Sequence, residues 1–165
     1  MSDRVPFDLV AYERLSRSGP CFVCSFLAGD PDYHNELVYD DGEYVAFLDR
    51  FPTMYGYVLM APRKHLEHVV RDFDEASYLR LQAALYRVAR ALEAVVPSER
   101  TYLLSLGSQQ GNPHLHWHIA PLTPGTPYER QQYHALMAEN GVIPWTDEQA
   151  AALGAKLRAA LGNNA

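Results

Sequence analysis

Apolar positions in this chain recur with two spacings, one near 3.6 and one of 2, and the switches between them mark out its elements. Residues 7–17 read as a short helix ended by Gly19-Pro20, and residues 21–28 as a knuckle running into a helical turn. Strand-like runs at 36–39 and 43–48 flank Asp40-Asp41-Gly42, which is hairpin-turn chemistry. A third strand is expected from Tyr55 to Met60, followed by Ala61-Pro62-Arg63-Lys64-His65. The helix period then takes over: Leu81, Leu85, Val88 and Leu92 form one apolar stripe. Asp72 is the expected cap of that helix, Glu75 its reciprocal partner, and Pro97 follows its end. A fourth strand over 101–106, a tight polar loop over 107–112 and a fifth strand over 113–120 make a second hairpin. The tail predicts helices over about 128–140 and 147–161, the last opened by Thr146-x-x-Gln149 and burying Leu153, Leu157 and Leu161. The fold class expected is α+β: a five-stranded antiparallel sheet with packed helices, one domain over residues 1–165, free of internal repeats.

The fifth strand carries the chemistry. In Pro113-His-Leu-His-Trp-His-Ile-Ala-Pro121 three histidines alternate with apolar residues. A period of 2 puts His114, His116 and His118 on one face and turns Leu115, Trp117 and Ile119 to a core. Core packing accounts for the second set and not for the first, because groups that titrate near neutrality are a poor choice for a merely solvated face. Same-face neighbours lie about 6.5–7 Å apart, so the outer pair are about 13 Å apart at Cα. Two adjacent imidazoles can share a metal ion; three on a straight strand are strained. A division of labour among the three is the better reading.

Composition narrows the possibilities. A net charge of −6 over 165 residues argues against a duplex nucleic-acid partner while leaving room for a small anionic ligand at a local positive site. No run approaches the roughly 18 apolar residues of a membrane span, and the polar N-terminus does not resemble a signal peptide, so a cytoplasmic location is expected. The two cysteines form a single Cys21-x-x-Cys24. Taken alone it is half a zinc site, a redox pair or chance; zinc would need two further ligands, and histidine is the obvious supply.

The residues His114 to Ala120 resemble the signature of the histidine-triad (HIT) superfamily. The likeness extends upstream through Cys21-Phe-Val-Cys24, Phe47-Leu-Asp49 and Gly56-Tyr-Val-Leu-Met-Ala-Pro-Arg-Lys-His65, in the family's order, so it covers core motifs over about 20–121 and leaves out the helical tail over 128–162. It implies nucleotidyl chemistry at a nucleoside α-phosphate on a purine nucleotide or nucleotide conjugate. His116 would be the nucleophile, forming a covalent nucleotidyl-histidine, and His118 a donor to the phosphate or leaving group. Gln110 would reach the leaving side, Asp49 would accept from ribose hydroxyls, and Phe47 would wall the base. The resemblance to zinc-containing branches assigns Cys21, Cys24, His65 and His114 to a closed structural Zn2+ site. It also implies a homodimer, with the C-terminal segment, Arg130 or Gln131 included, near the partner's site.

Three positions depart from the family pattern. Tyr57 follows Gly56 where many members have histidine, and packing is its expected role. Gly111 stands where a Ser or Thr is common, and Ser105 or Ser108 where an Asn is common. These surround the phosphates and leave the leaving group open among a phosphoramidate amine, a polyphosphate and another phosphorylated group. His34, His68 and His134 read as surface residues, His68 on a helix, and Trp145, Tyr128 and Tyr133 as core, dimer contact or lid. Two other functions compete: a nucleotide-binding regulatory module without turnover, for which a nucleophile is superfluous, and a metal hydrolase in which the His-x-His pair holds a catalytic ion.

Overall fold

Folding places the two long helices on one side of an antiparallel sheet and the histidine-lined cavity on the other. The computed structural model describes residues 4–162. Its strands are β1 (Leu37–Asp40), β2 (Tyr44–Leu48), β3 (Val58–Pro62), β4 (Arg100–Ser105) and β5 (Trp117–Leu122), in spatial order β1-β2-β3-β5-β4 with every neighbouring pair antiparallel. The helices are α1 (Leu9–Ser18), α2 (Phe22–Leu27), α3 (Glu75–Val95), α4 (Tyr133–Leu136) and α5 (Asp147–Gly162).

The sheet is covered on both faces. Tyr44, Ala46, Leu48, Val58, Met60, Trp117 and Ile119 meet the α3 stripe of Leu81, Leu85, Val88 and Leu92, together with Leu153 and Leu157 of α5. Each such leucine contributes about 1.5–3 kcal/mol by leaving water. On the opposite face Val45, Phe47, Leu59, Ala61, Ala120 and Leu122 pack with Val23 of α2, Tyr57 and Ala135. Both predicted hairpins form: Leu37 pairs Phe47 across the first, and Leu104 pairs His118 across the second. The Thr146 capping box is present, with Thr146 N donating to Gln149 Oε1 (2.9 Å) and Gln149 N to Thr146 Oγ1 (3.3 Å).

Four boundaries differ from the sequence reading, each for a local reason. The cap of α3 is Asp74, whose Oδ1 accepts from Ser77 N at 2.7 Å. Asp72 instead uses Oδ2 to accept from Glu67 N and His68 N, both at 2.9 Å, which pins the irregular segment that carries His65. His68 is therefore not helical; it is partly buried, beside Arg71. The third strand starts at Val58, because residues before it turn: Gly56 has φ +85°, and a Cβ there would sit 2.9 Å from Val96 Cγ2. The fifth strand starts at Trp117, not at 113. Leu115 N donates to Leu66 O (2.8 Å), so the chain around His114 leaves the β-ladder and bonds to the segment after β3. Finally, the helix expected over 128–140 is broken into a 3-10 turn at Tyr128–Arg130, the single turn of α4, and another 3-10 turn at Ala138–Asn140. Gln132, at φ +54°, interrupts it, and its N–H donates to the Tyr102 hydroxyl at 3.0 Å. The tertiary bond overrides local helical preference there.

Candidate active site and metal centre

Departure from the ladder sends the three histidines to two destinations. His114 is completely buried and turns its Nδ1 to the cysteines, 3.3 Å from Cys21 Sγ and 3.6 Å from Cys24 Sγ. His65 brings its Nδ1 to 3.4 Å from Cys24 Sγ. All four donor atoms lie within 4.8 Å of one another. A tetrahedral zinc with ordinary Zn–S and Zn–N bonds of about 2.3 and 2.0–2.1 Å requires S···N edges of about 3.5 Å, so this set fits the ion in both chemistry and spacing. The outer nitrogens of the two imidazoles are also engaged. His114 Nε2 donates to the Pro62 carbonyl (2.8 Å) and His65 Nε2 to Glu67 Oε1 (3.0 Å), which leaves each Nδ1 its lone pair for a metal. Burial, and then the Cys21 thiol beside it, push the Cys24 thiol up to about 11; a bound dication would reverse that shift.

His116 and His118 turn the other way, with ring centroids 4.9 Å apart, into a cavity of about 110 Å³. Phe22, Phe47, Asp49, Phe51 and Leu59 line it, as do Tyr12, Ser16 and Asn112. The β-pairing explains the arrangement: Phe47 faces Leu59 across β2–β3, and Leu59 faces His118 across β3–β5, so the row crosses three strands on one face. Burial lowers the pKa of all three triad imidazoles, that of His114 to about 4 and that of His118 to about 3. Each is neutral at physiological pH and has one ring proton to place. The proton of His116 is on Nδ1, which donates to the His114 carbonyl at 2.9 Å, and Nε2 keeps a free lone pair. Ser105 Oγ donates to the His116 carbonyl at 2.8 Å, fixing the backbone that carries it.

Asp49 lies at the cavity wall just past β2, where its Oδ1 accepts from Phe51 N (2.9 Å) and burial pushes it up to about 6. Phe47 is 1% exposed, with the Phe26 ring 4.7 Å away. Gln110 is exposed on the loop tip and outside the cavity lining. From that loop it is Asn112 that reaches the cavity, its Nδ2 donating to Tyr12 Oη and Ser16 Oγ, both at 3.2 Å, which ties the loop to α1. The sequence reading did not single out Tyr12, Ser16 or Asn112. The available signal was Tyr12 and Ser16 at i, i+4 on a helix that buries none of its residues. Tyr57, expected to pack, does pack, and it also hydrogen-bonds His118 Nδ1 at 3.0 Å. His34 and His134 are exposed, as are Tyr128 (80%) and Tyr133 (75%), whereas Trp145 packs against the helix-side core.

Residues 31–125 match the HIT domain family, and that stretch contains the whole triad. The chain belongs to this family. A HIT-like protein of Saccharolobus solfataricus is 30% identical over 104 residues, which span 61% of this chain and 73% of that protein. The crystal structure of a hypothetical histidine triad nucleotide-binding protein from Sulfolobus tokodaii matches at 25% identity with a TM-score of 0.69, covering 87% of this chain and 93% of that one. A Zn-bound histidine triad family protein from Mycobacterium smegmatis matches at 22% identity and a TM-score of 0.66, over 87% and 94% of the two chains. At that identity the likeness bears on the fold, and the fold of this HIT chain is the same five-stranded sheet with packed helices.

Proposed function

We propose that this HIT protein is a nucleotide hydrolase or nucleotidyltransferase that acts at a nucleoside α-phosphate through His116. The observation that carries the reading is the His116 Nδ1–H bond to the His114 carbonyl, because it commits the ring proton and leaves Nε2 as the nucleophile. The Nε2 lone pair attacks the α-phosphorus and a P–N bond forms. The bond from phosphorus to the leaving oxygen or nitrogen breaks, and the leaving atom keeps the pair and takes up a proton. Water, or another acceptor, then displaces the histidine and releases a nucleoside monophosphate or a transferred nucleotide. His118, one alternate position along β5, supports the charge that grows on the phosphoryl oxygens. Phe47 walls a purine base and Asp49 accepts from the ribose hydroxyls; both line the same cavity as His116. Gln110 is close enough in sequence to the triad to serve the leaving group only if its exposed loop folds inward on a bound ligand.

Zinc on Cys21, Cys24, His65 and His114 has a structural part in this reading, since all four positions of a tetrahedron are filled by protein donors. The ion would anchor the segment after β3, the α2 knuckle and the start of the triad to one another. His114 is the triad member in that cluster, which speaks against a catalytic ion held by the His-x-His pair. Among the described residues no helix is long and apolar enough to cross a membrane. A cytoplasmic homodimer without a duplex nucleic-acid or membrane partner is part of the same proposal; β4 is an edge strand with Leu103 48% exposed, an apolar edge that a second copy would cover.

The test is release of nucleoside monophosphate from a panel of adenylyl and guanylyl donors, phosphoramidates and dinucleoside polyphosphates included. Release is expected from the wild type and not from His116→Ala. No release from any donor, with tight nucleotide binding retained, would move the protein to a regulatory binding module.

A further inference from the structure

The two protons of the reacting pair are not placed by the same means. His116 is set by a backbone carbonyl, whereas the ring of His118 meets a side chain, Tyr57, whose hydroxyl lies 3.0 Å from Nδ1 with the rings edge to face at 5.7 Å. Tyr57 is 3% exposed and is held from both sides. Its N–H donates to the Met54 carbonyl (3.2 Å), its own carbonyl accepts from Asp49 N (2.9 Å), and the Gly56 turn just before it admits no side chain. The far nitrogen of His118, Nε2, is buried without a hydrogen-bond partner in a residue that lines the cavity.

Two proton arrangements are open to a neutral His118. If Nδ1 carries the proton and donates to the phenol oxygen, the phenol hydrogen is left buried with nothing to receive it. Nε2 then points a lone pair at the place where phosphoryl oxygens would sit, and like meets like. If the phenol donates to Nδ1, both atoms are satisfied and the ring proton moves to Nε2, where it becomes a donor in want of an acceptor. The second arrangement leaves one orphan, on a residue that lines the ligand cavity.

We propose that Tyr57 is a positioning residue that fixes His118 in the Nε2–H form and so aims a hydrogen-bond donor at the transferred phosphoryl group. This rests on the nucleotidyl reading for its purpose, while the proton placement itself does not. The triad thus contains three separately enforced tautomers. His114 presents a lone pair on Nδ1, His116 a lone pair on Nε2, and His118 a proton on Nε2; the Pro62 carbonyl, the His114 carbonyl and the Tyr57 hydroxyl are what enforce them. A tyrosine can do this and a phenylalanine cannot, although both fill the same space.

Long-range 1H–15N NMR of the ring nitrogens of His118, in uniformly labelled protein purified without chelator, reads the placement directly. The wild type is expected as a single Nε2–H tautomer. Tyr57→Phe is expected to draw the two ring-nitrogen resonances toward each other as both tautomers become populated. In turnover Tyr57→Phe is expected to lower kcat about tenfold or more while KM stays within about twofold, because the lost donor acts on charge that develops only in the transition state. An Nδ1–H tautomer in the wild type, or ring-nitrogen resonances and kcat unmoved by Tyr57→Phe, overturns the proposal. The wild-type spectrum decides even if the variant fails to fold. An active enzyme with His118 in the Nδ1–H form would sink the role of Tyr57 and spare the nucleotidyl reading. An inactive protein with a Tyr57-dependent Nε2–H form would do the reverse.

Discussion

Zinc held by Cys21, Cys24, His65 and His114 would cross-link distant parts of the chain, and the size of that effect can be worked out from sequence separation. Cys21 and His114 are 93 residues apart, and Cys24 and His65 are 41 apart. Closing a loop of the larger size confines the unfolded chain by about 4.6 kcal/mol on the relation used for disulfides; the shorter loop lies inside it and adds only in part. Against a typical total stability of about 5–15 kcal/mol that is a large share. For a chain of this length about 2–4 °C of melting temperature goes with each kcal/mol, so chelation should lower Tm by about 10–20 °C. The metal-free fold should still form at lower temperature, because burial pushes Cys24 up to about 11 and the cysteine pair need not carry two charges. The measurement is elemental analysis followed by thermal melts of the zinc-loaded, chelated and zinc-readded protein, and of Cys24→Ala. About one equivalent of zinc is expected. Added zinc should restore the wild-type Tm and leave that of the variant low. Zinc below about a tenth of an equivalent in unchelated protein, or a Tm that chelation does not move, refutes the reasoning.

Asp49 gives a pH-dependent signature. With burial pushing it up to about 6, the folded state between about pH 4 and 6 holds a proton that the unfolded chain has lost, so its contribution to stability falls as pH rises through that window. The buried triad works in the opposite direction, its contribution falling as pH drops below the ordinary histidine value of about 6.5. Subtracting the stability profile of Asp49→Asn isolates the first effect, about 3 kcal/mol between pH 4 and 7, and parallel profiles would contradict it. Gly56→Ala puts a Cβ at φ +85° and 2.9 Å from Val96 Cγ2, and should cost about 1–3 kcal/mol in urea denaturation; an unchanged midpoint would show that the turn relaxes freely.

Much of this fold was legible because local rules and global packing agree. The α3 stripe at Leu81, Leu85, Val88 and Leu92 is read from its spacing, and it packs where that spacing says it should. The two hairpins, the Thr146–Gln149 box and the inward set Leu115, Trp117 and Ile119 follow equally from short-range periodicity and turn chemistry. So did the residue types of the site: histidines at alternate positions and a cysteine pair identify themselves by chemistry.

What the sequence could not give is set by distance. Asp72 and Asp74 are both capable caps, and the choice between them depends on where Glu67 and His68 present their N–H groups. The tail reads as one helix, and a hydroxyl from Tyr102, 30 residues away, breaks it. Local sequence determined most of the elements and the residue types of the candidate site in this HIT protein, because helix and strand preferences act over a few residues. The tertiary structure decided which nitrogen each histidine exposes: the Pro62 and His114 carbonyls accept the ring protons of His114 and His116, and the Tyr57 hydroxyl, as donor to Nδ1, sends that of His118 to Nε2, because the fold brings each partner within about 3 Å of one ring nitrogen.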